Sequence, residues 1–304
     1  MKKACDKISP CGHPCYGFRG EKKCLPCLNE DCVKKNPGPT NDLKDDDYCP
    51  ICYTSGIGDA PSILPECGHI CHIDCLLSRL KKRWPGPRIT FAFCECPVCR
   101  KWASAPQSVE VTNELKEING VFDDIKKKAV DRLKYEGLDK DKRLHDPNDR
   151  FYNKFEEYAL TRLSYYLCFK CKKPYFGGLK SCENVNEGQR EYKESDLVCG
   201  ACASDNIKGG VGNCPQHGKD FIEFKCQFCC SVAQWFCWGT THFCEPCHAR
   251  QCKGDYVNKI PKDKLPKCSG PDKCPLRTKH PPNGTEYSLG CAVCRNLKSN
   301  VKAF

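Results

Sequence analysis

CPIC (49–52), CGHICHIDC (67–75) and CPVC (96–99) decide how this chain folds. Eight candidate ligands stand in them, in the order Cys49, Cys52, Cys67, His69, His72, Cys75, Cys96, Cys99. Thiolates two residues apart on a tight turn can share one tetrahedral metal, and sulfur mixed with imidazole suits zinc. Eight such donors would hold two ions. Metal binding supplies folding free energy, so a segment this short can fold with few core residues. Cys71 and Cys94 exceed the eight and read as small buried residues.

Ligands in this order resemble those of a RING finger of the two-histidine type, and the resemblance implies interleaved quartets: Cys49, Cys52, His72 and Cys75 on one zinc, Cys67, His69, Cys96 and Cys99 on another. The RING family binds ubiquitin-conjugating enzymes, and its contact positions carry over to Ile51, Pro97 and Trp84, which would form a shallow apolar groove. Arg100 follows the last ligand, where RING ligases place a cation that holds loaded ubiquitin closed. A central helix is expected to begin near Asp74.

Working outward, composition divides the chain. Residues 1–35 form an N-terminal Cys/His zinc segment with candidate ligands Cys5, Cys11, His13, Cys15, Cys24, Cys27 and Cys32. NPGPTNDLKDDD (36–47) is a linker by its Pro, Gly and acidic residues. The RING module spans 48–106. Residues 107–166 form a helical linker: Val111, Leu115, Ile118, Phe122, Ile125, Ala129 and Leu133 recur at steps of three and four, and Gly137 stops the run. A second apolar run follows from Phe155 to Tyr166. Residues 167–304 form a tandem cysteine domain. The fold class expected is therefore small zinc-stabilised α+β modules: a cross-braced RING, a helical linker and a multi-zinc irregular cysteine domain.

In that last domain the paired candidates are Cys168/Cys171, Cys199/Cys202, Cys214/His217, Cys226/Cys229, Cys244/Cys247 and Cys291/Cys294, with Cys230, Cys268, Cys274 and His280 single. Together they fill about four tetrahedral zincs, beside two in the RING and one or two near the N-terminus. Cys182, Cys237, Cys252, His242 and His248 are left over. Cys182 stands in GGLKSCENVNEGQREYKESD (177–196), polar and poor in apolar anchors, which reads as a mobile loop. By its residues alone it is a reactive carrier or a tolerated surface thiol. Cys237, flanked by aromatics, reads alone as a small buried cysteine in a strand.

Charge and cysteine count exclude other classes. Thirty-one cysteines in 304 residues mark a chain held by bridges or metals. Cys-x-x-Cys pairs with nearby His favour zinc over disulfides and fit a reducing, cytoplasmic setting, with the nucleus open as well. The first residues have no apolar run of the kind a signal peptide needs, and no apolar stretch is long enough to span a membrane. The formal charge of +11 counts every thiol as neutral. With the RING and C-terminal ligands as zinc thiolates the balance falls to about +3. Basicity thus gives little support to nucleic-acid binding, no aromatic-basic sheet motif is present, and no membrane partner is expected.

RWPGPRITFAF (83–93), YEGL (135–138), YFGG (175–178), CGAC (199–202), KCQFCCSVA (225–233), FCWGTTHFC (236–244) and HPPNGTEYSLGCAVCRN (280–296) resemble the tandem cysteine region of the Pam/Highwire family of giant ubiquitin ligases. CGHPCYGF (11–18) and CLPCLNEDC (24–32) resemble the zinc segment that precedes the RING there. The resemblance implies a RING-Cys-relay. Cys182 would take ubiquitin from a docked conjugating enzyme, and Cys237 would receive it as a second thioester. His248 would act as general base, Asp196 as its supporting carboxylate, and Trp238 with Phe243 would form a slot for a hydroxyl substrate, protein or small molecule. The product would be an ester on Thr or Ser. Asp196 stands where the family has glutamate, Trp238 where it has phenylalanine, and ARQCKGDYVNK (249–259) differs from the family's shorter segment. The alternative is a conventional RING ligase that promotes direct transfer to lysine, its C-terminal cysteines purely structural.

Overall fold

The computed structural model describes residues 3–179, 194–199, 201–202, 213–237, 241–270 and 272–295. The chain divides into two compact units, Met1–Pro85 with Thr90–Phe122, and Gly86–Ile89 with Asp123–Phe304.

In the first unit a short helix, α1 (Glu30–Lys35), begins where the Asn29 side chain accepts the Asp31 amide. Strands β1 (Ser62–Ile63) and β2 (Cys71–His72) pair antiparallel, and helix α2 (Ile73–Lys82) follows at once. Ile73, Leu76, Leu77 and Leu80 recur at helical spacing, so α2 buries one face against Ile63, Phe93, Val111, Leu115 and Ile118. Arg79, Lys81 and Lys82 crowd its last turn, where cations oppose the negative end of the helix dipole. Cys71 and Cys94 are buried within this core, and burial pushes the Cys94 thiol up to about 12 and that of Cys71 well above its ordinary value. Both stay neutral thiols, as packing residues should.

Helix α3 (Val109–Tyr135) carries the predicted apolar stripe. The Ser108 hydroxyl accepts the Val111 amide at its start, and Gly137, at φ +69, ends the run in a left-handed turn that favours glycine.

The second unit adds α4 (Lys142–His145) and α5 (Phe155–Arg162). The apolar run after Phe155 is not one helix. It leaves helical geometry after Arg162 and continues as β3 (Leu163–Leu167), paired antiparallel with β4 (Pro174–Leu179). Tyr165 and Tyr166 are aromatic residues of strand type, and the pairing with β4 decides against their helical spacing. In YFGG, a Cβ on Gly177 would overlap the Tyr166 ring, and Gly178 sits at φ +130 with its α-carbon face close to the Gln234 carbonyl. Both positions therefore require glycine. β5 (Ile222–Lys225) pairs with β8 (Tyr287–Cys291), and β6 (Trp235–Cys237) with β7 (Thr241–Phe243). Helix α6 (Glu245–Cys252) follows β7 after a single residue, Cys244. Among the described residues all sheets have two strands, and the apolar clusters around them are small. Elements this short need an added constraint to hold together. No helix among the described residues is long and apolar enough to cross a membrane.

Candidate metal centres and thiol site

Cysteine and histidine side chains supply the constraint. The donor atoms of Cys49, Cys52, His72 and Cys75 lie within 4.8 Å of one another, and so do those of Cys67, His69, Cys96 and Cys99. The two sets interleave along the chain. Three more sets converge in the same way: Cys11, His13, Cys27 and Cys32; Cys168, Cys171, Cys199 and Cys202; Cys214, His217, Cys291 and Cys294. Contacts define two others. Cys229 meets Cys244 at 3.4 Å and Cys247 at 3.8 Å, and it also bonds Cys226. His280 Nε2 meets Cys268 at 3.4 Å and Cys274 at 3.3 Å, and Cys230 bonds both thiols. All sixteen C-terminal candidates are thus brought into four quartets. Of the N-terminal candidates, Cys5, Cys15 and Cys24 form a separate set around Glu21.

The spacing fits zinc. A tetrahedral ion with Zn–S of about 2.3 Å and Zn–N of about 2.0–2.1 Å sets S···S near 3.8 Å and S···N near 3.6 Å. Cys171 and Cys199 are 3.8 Å apart, and His72 Nδ1 lies 3.6 Å from Cys52 and 3.7 Å from Cys75. The histidines are also oriented as ligands. His72 turns Nδ1 to the thiols and donates from Nε2 to the Gly56 carbonyl at 2.8 Å, while His280 turns Nε2 to its thiols and donates from Nδ1 to the Pro281 carbonyl at 2.8 Å. An outer hydrogen bond of this kind fixes the tautomer and aims the free lone pair. No disulfide joins the described cysteines.

On the first unit's surface, Ile51 and Trp84 are half-buried and pack on the core around α2, while Pro97, Val98 and Arg100 are exposed. The Trp84 ring lies 6.2 Å from that of Phe93.

The residues outside the quartets gather around β6, β7 and α6. Cys237 ends β6, half-buried, opposite Thr241, in an apolar cluster with Phe243 and Trp235. It belongs to none of the quartets described above. His248 stands on α6 one position after Cys247, so the quartet that holds Cys244 and Cys247 fixes the first turn of the helix carrying it. Its ring stacks on Trp235 at 4.3 Å and 6°, and meets Phe243 edge-on at 6.0 Å. Trp235 in turn donates from Nε1 to Glu245 at 2.6 Å. Cys237 and the His248 ring thus border the same apolar cluster. Cys252, one turn after His248 and exposed, brings its sulfur to 3.8 Å from His248 Nε2. Cys182, Trp238 and the Asp196 side chain lie outside the described residues; the Asp196 backbone closes a short 3-10 turn, Glu194–Asp196.

Two side chains here escape a reading by spacing. Glu286, the residue before β8, accepts the His242 backbone amide at 2.9 Å and its ring Nδ1 at 2.6 Å. The His242 ring is sandwiched between Phe224 at 4.0 Å and Phe236 at 4.1 Å. β8 thus grips β7 through a side chain, which holds the β6–β7 pair that ends in Cys237. Lys225 is fully buried beside this arrangement and donates to the Cys226 carbonyl at 2.8 Å, attracted by the Cys226, Cys229 and Cys230 sulfurs and by Glu286. A buried ammonium needs such negative neighbours. KCQFCCSVA carries Lys225, FCWGTTHFC carries His242 and TEYSLG carries Glu286, but no ligand spacing marks these three.

These features define a class: a chain built from interleaved and nested Cys/His quartets that fit zinc, with a cysteine and a histidine set among aromatics beside them. No family model matches the chain. It is 44% identical over 313 residues to the E3 ubiquitin-protein ligase highwire of Drosophila melanogaster, and 43% identical over 305 residues to the E3 ubiquitin-protein ligase MYCBP2 of Danio rerio. Each match covers 97% of this chain and 6% of the relative. The chain belongs to the Pam/Highwire family and spans about 6% of the length of these relatives.

Proposed function

We propose that this chain is a ubiquitin-protein ligase that carries ubiquitin on its own cysteines. The RING docks a loaded conjugating enzyme through Ile51, Trp84, Pro97 and Arg100. The Cys182 thiolate attacks the thioester carbonyl and releases the enzyme's thiol. Cys237 repeats the exchange, and a Thr or Ser hydroxyl then attacks the Cys237 thioester while His248 takes its proton and the Cys237 sulfur leaves. Asp196 supports the base, and Trp238 with Phe243 receives the hydroxyl residue. Zinc, two ions in the RING and four in the C-terminal domain, supplies structural constraint rather than chemistry. The setting is a reducing compartment, cytoplasmic or nuclear.

The observation that carries this reading is the position of Cys237 at the end of β6, in the apolar cluster of Trp235 and Phe243 against which the His248 ring packs. Thioester exchange is nearly neutral in energy, so positioning is most of what such a transfer needs. A hydroxyl, in contrast, requires a base, and imidazole suits that role near neutral pH. The names of the two relatives support ligase activity.

The test is to charge the chain with activating enzyme, conjugating enzyme and ubiquitin. A thiol-sensitive adduct is expected, lost in the Cys182→Ser, Cys237→Ser double variant, and the final product should be cleaved by hydroxide as an ester is. A hydroxide-resistant product, with activity that survives Cys237→Ala but not Ile51→Ala, would replace the relay with direct transfer to lysine.

A further inference from the structure

The N-terminal segment holds a second set of donors that its cysteine spacing does not reveal. Residues 3–19 fold back on themselves as an antiparallel ribbon: the Cys5 amide donates to the Gly17 carbonyl at 2.9 Å, the Cys15 amide to the Lys7 carbonyl at 3.0 Å, and the Arg19 amide to the Lys3 carbonyl at 2.8 Å. The ribbon sets Cys5 and Cys15 side by side, and Cys24 joins them from the following segment, bonding both thiols. The fourth corner is Glu21, only 8% exposed. Its carboxylate reaches Cys15 Sγ at 3.5 Å and also touches Cys5 and Cys24.

Three features mark this as a built site. The first is distance. Zinc held by sulfur at about 2.3 Å and carboxylate oxygen at about 2.0 Å sets S···O near 3.5 Å, the separation found between Cys15 and Glu21. The second is cost. A carboxylate this deeply buried is expensive unless a cation compensates it, and among the described residues no lysine or arginine pairs with Glu21. The third is preparation. A Cβ on Gly17 would overlap the Glu21 carboxylate, and the Gly17 amide donates to Cys15 Sγ at 3.4 Å, a bond that favours thiolate.

We infer that Cys5, Cys15, Glu21 and Cys24 form a zinc site of three thiolates and one carboxylate. It interleaves with Cys11, His13, Cys27 and Cys32, so residues 5–32 are a second cross-braced module in front of the RING. Three sulfurs select zinc over hard cations such as magnesium or calcium. Glu21-x2-Cys24 takes the place that Cys-x2-Cys takes elsewhere in this chain. A search by cysteine spacing passes over it because the fourth donor is oxygen. This assignment does not depend on ubiquitin transfer.

Zinc stoichiometry of the full chain tests it, read by native mass spectrometry, with release followed by a chromophoric chelator. Cys15→Ser should hold one zinc fewer than wild type. Glu21→Gln, nearly the same shape but unable to bind as an anion, should release one equivalent at least 10-fold faster than wild type. Glu21→Cys should keep the full count and slow that release. With cobalt replacing zinc, Glu21→Cys should also gain sulfur-to-cobalt charge-transfer absorbance. A full zinc count in Cys15→Ser would remove the site. Wild-type release in Glu21→Gln, with one equivalent missing in Cys15→Ser, would remove Glu21 from it. Loss of every N-terminal zinc in Cys15→Ser and Glu21→Gln would mean the module unfolds as a whole in them; the cobalt spectrum of Glu21→Cys then decides, and an unchanged spectrum or a lost metal there overturns the assignment.

Discussion

The first unit ties its quartets locally, while one quartet of the second closes over a much longer stretch of chain. In the RING segment the widest quartet runs from Cys67 to Cys99, and its partner set is threaded through it. In the second unit Cys214 meets Cys294 across 80 residues, and the two quartets centred on Cys229 and His280 are strung inside that span. Closing the longer loop costs roughly 1 kcal/mol more than closing the shorter one, which is small beside the free energy of a structural zinc. Distance is therefore cheap, and what differs is dependence. An interleaved pair shares one backbone and should fall together. In the second unit the Cys168–Cys202 quartet shares no segment with the Cys214 quartet and can fail without it, while Cys230, lying between Cys229 and Cys244, ties the two inner quartets together.

The largest effect tests that difference directly. Cys75→Ser should release both RING zincs and abolish the RING's cooperative unfolding transition, because a structural zinc is worth about 10–16 kcal/mol. Cys171→Ser should release one zinc and leave the Cys214 quartet loaded. Metal counting with limited proteolysis checks both, and a single zinc lost from Cys75→Ser would break the contrast.

Next in size is activity. Cys237→Ala should lower hydroxyl transfer by at least 100-fold with the zinc count and melting temperature unchanged. Ile51→Ala should lower loading by the conjugating enzyme instead. If both variants fail at the same step in single-turnover assays, the second unit is scaffold only.

Glu286→Ala is expected to be milder. It removes two hydrogen bonds to His242 from a carboxylate that is 23% exposed. Charge-assisted bonds of this kind contribute about 1.5–3 kcal/mol each, less where solvent reaches them. The expected result is a lower melting temperature and roughly tenfold slower transfer from Cys237, with loading of the first thiol intact. An unchanged transfer rate would show that β6 and β7 are held by their own ladder.

The smallest effect belongs to Arg83, which pairs with Glu114 at 3.3 Å and Glu117 at 2.9 Å on the first unit's surface. Arg83→Ala should cost about 0.5 kcal/mol in urea unfolding, since exposed pairs are weak. A much larger loss would mean that the RING relies on surface charge as well as metal.

The ligand sets were legible early because metal geometry leaves a local mark. Cys49–Cys52 and Cys96–Cys99 are turns that a single ion imposes, and the same spacing marks most of the C-terminal pairs. The stripe from Val111 to Leu133 was equally plain, since one buried helix face repeats every three to four residues. The strand β3 was not, because Tyr165 and Tyr166 fit helical spacing as well as pairing, and only the partner strand β4 decides between them. Glu286 and Glu21 were hidden for a related reason. Their importance lies in what they touch, and a carboxylate carries no signature until something buries it.

Sequence alone marked the Cys/His donors that could hold zinc and the long helix, because each depends on residues close along the chain. Tertiary structure decided which thiols meet: Cys214 with Cys294, and Cys229 with Cys244. It also put Trp235 against His248 and gave Glu21 its three sulfurs. Cys214 and Cys294 stand 80 residues apart, and even the nearer partners meet only where the chain folds back on itself.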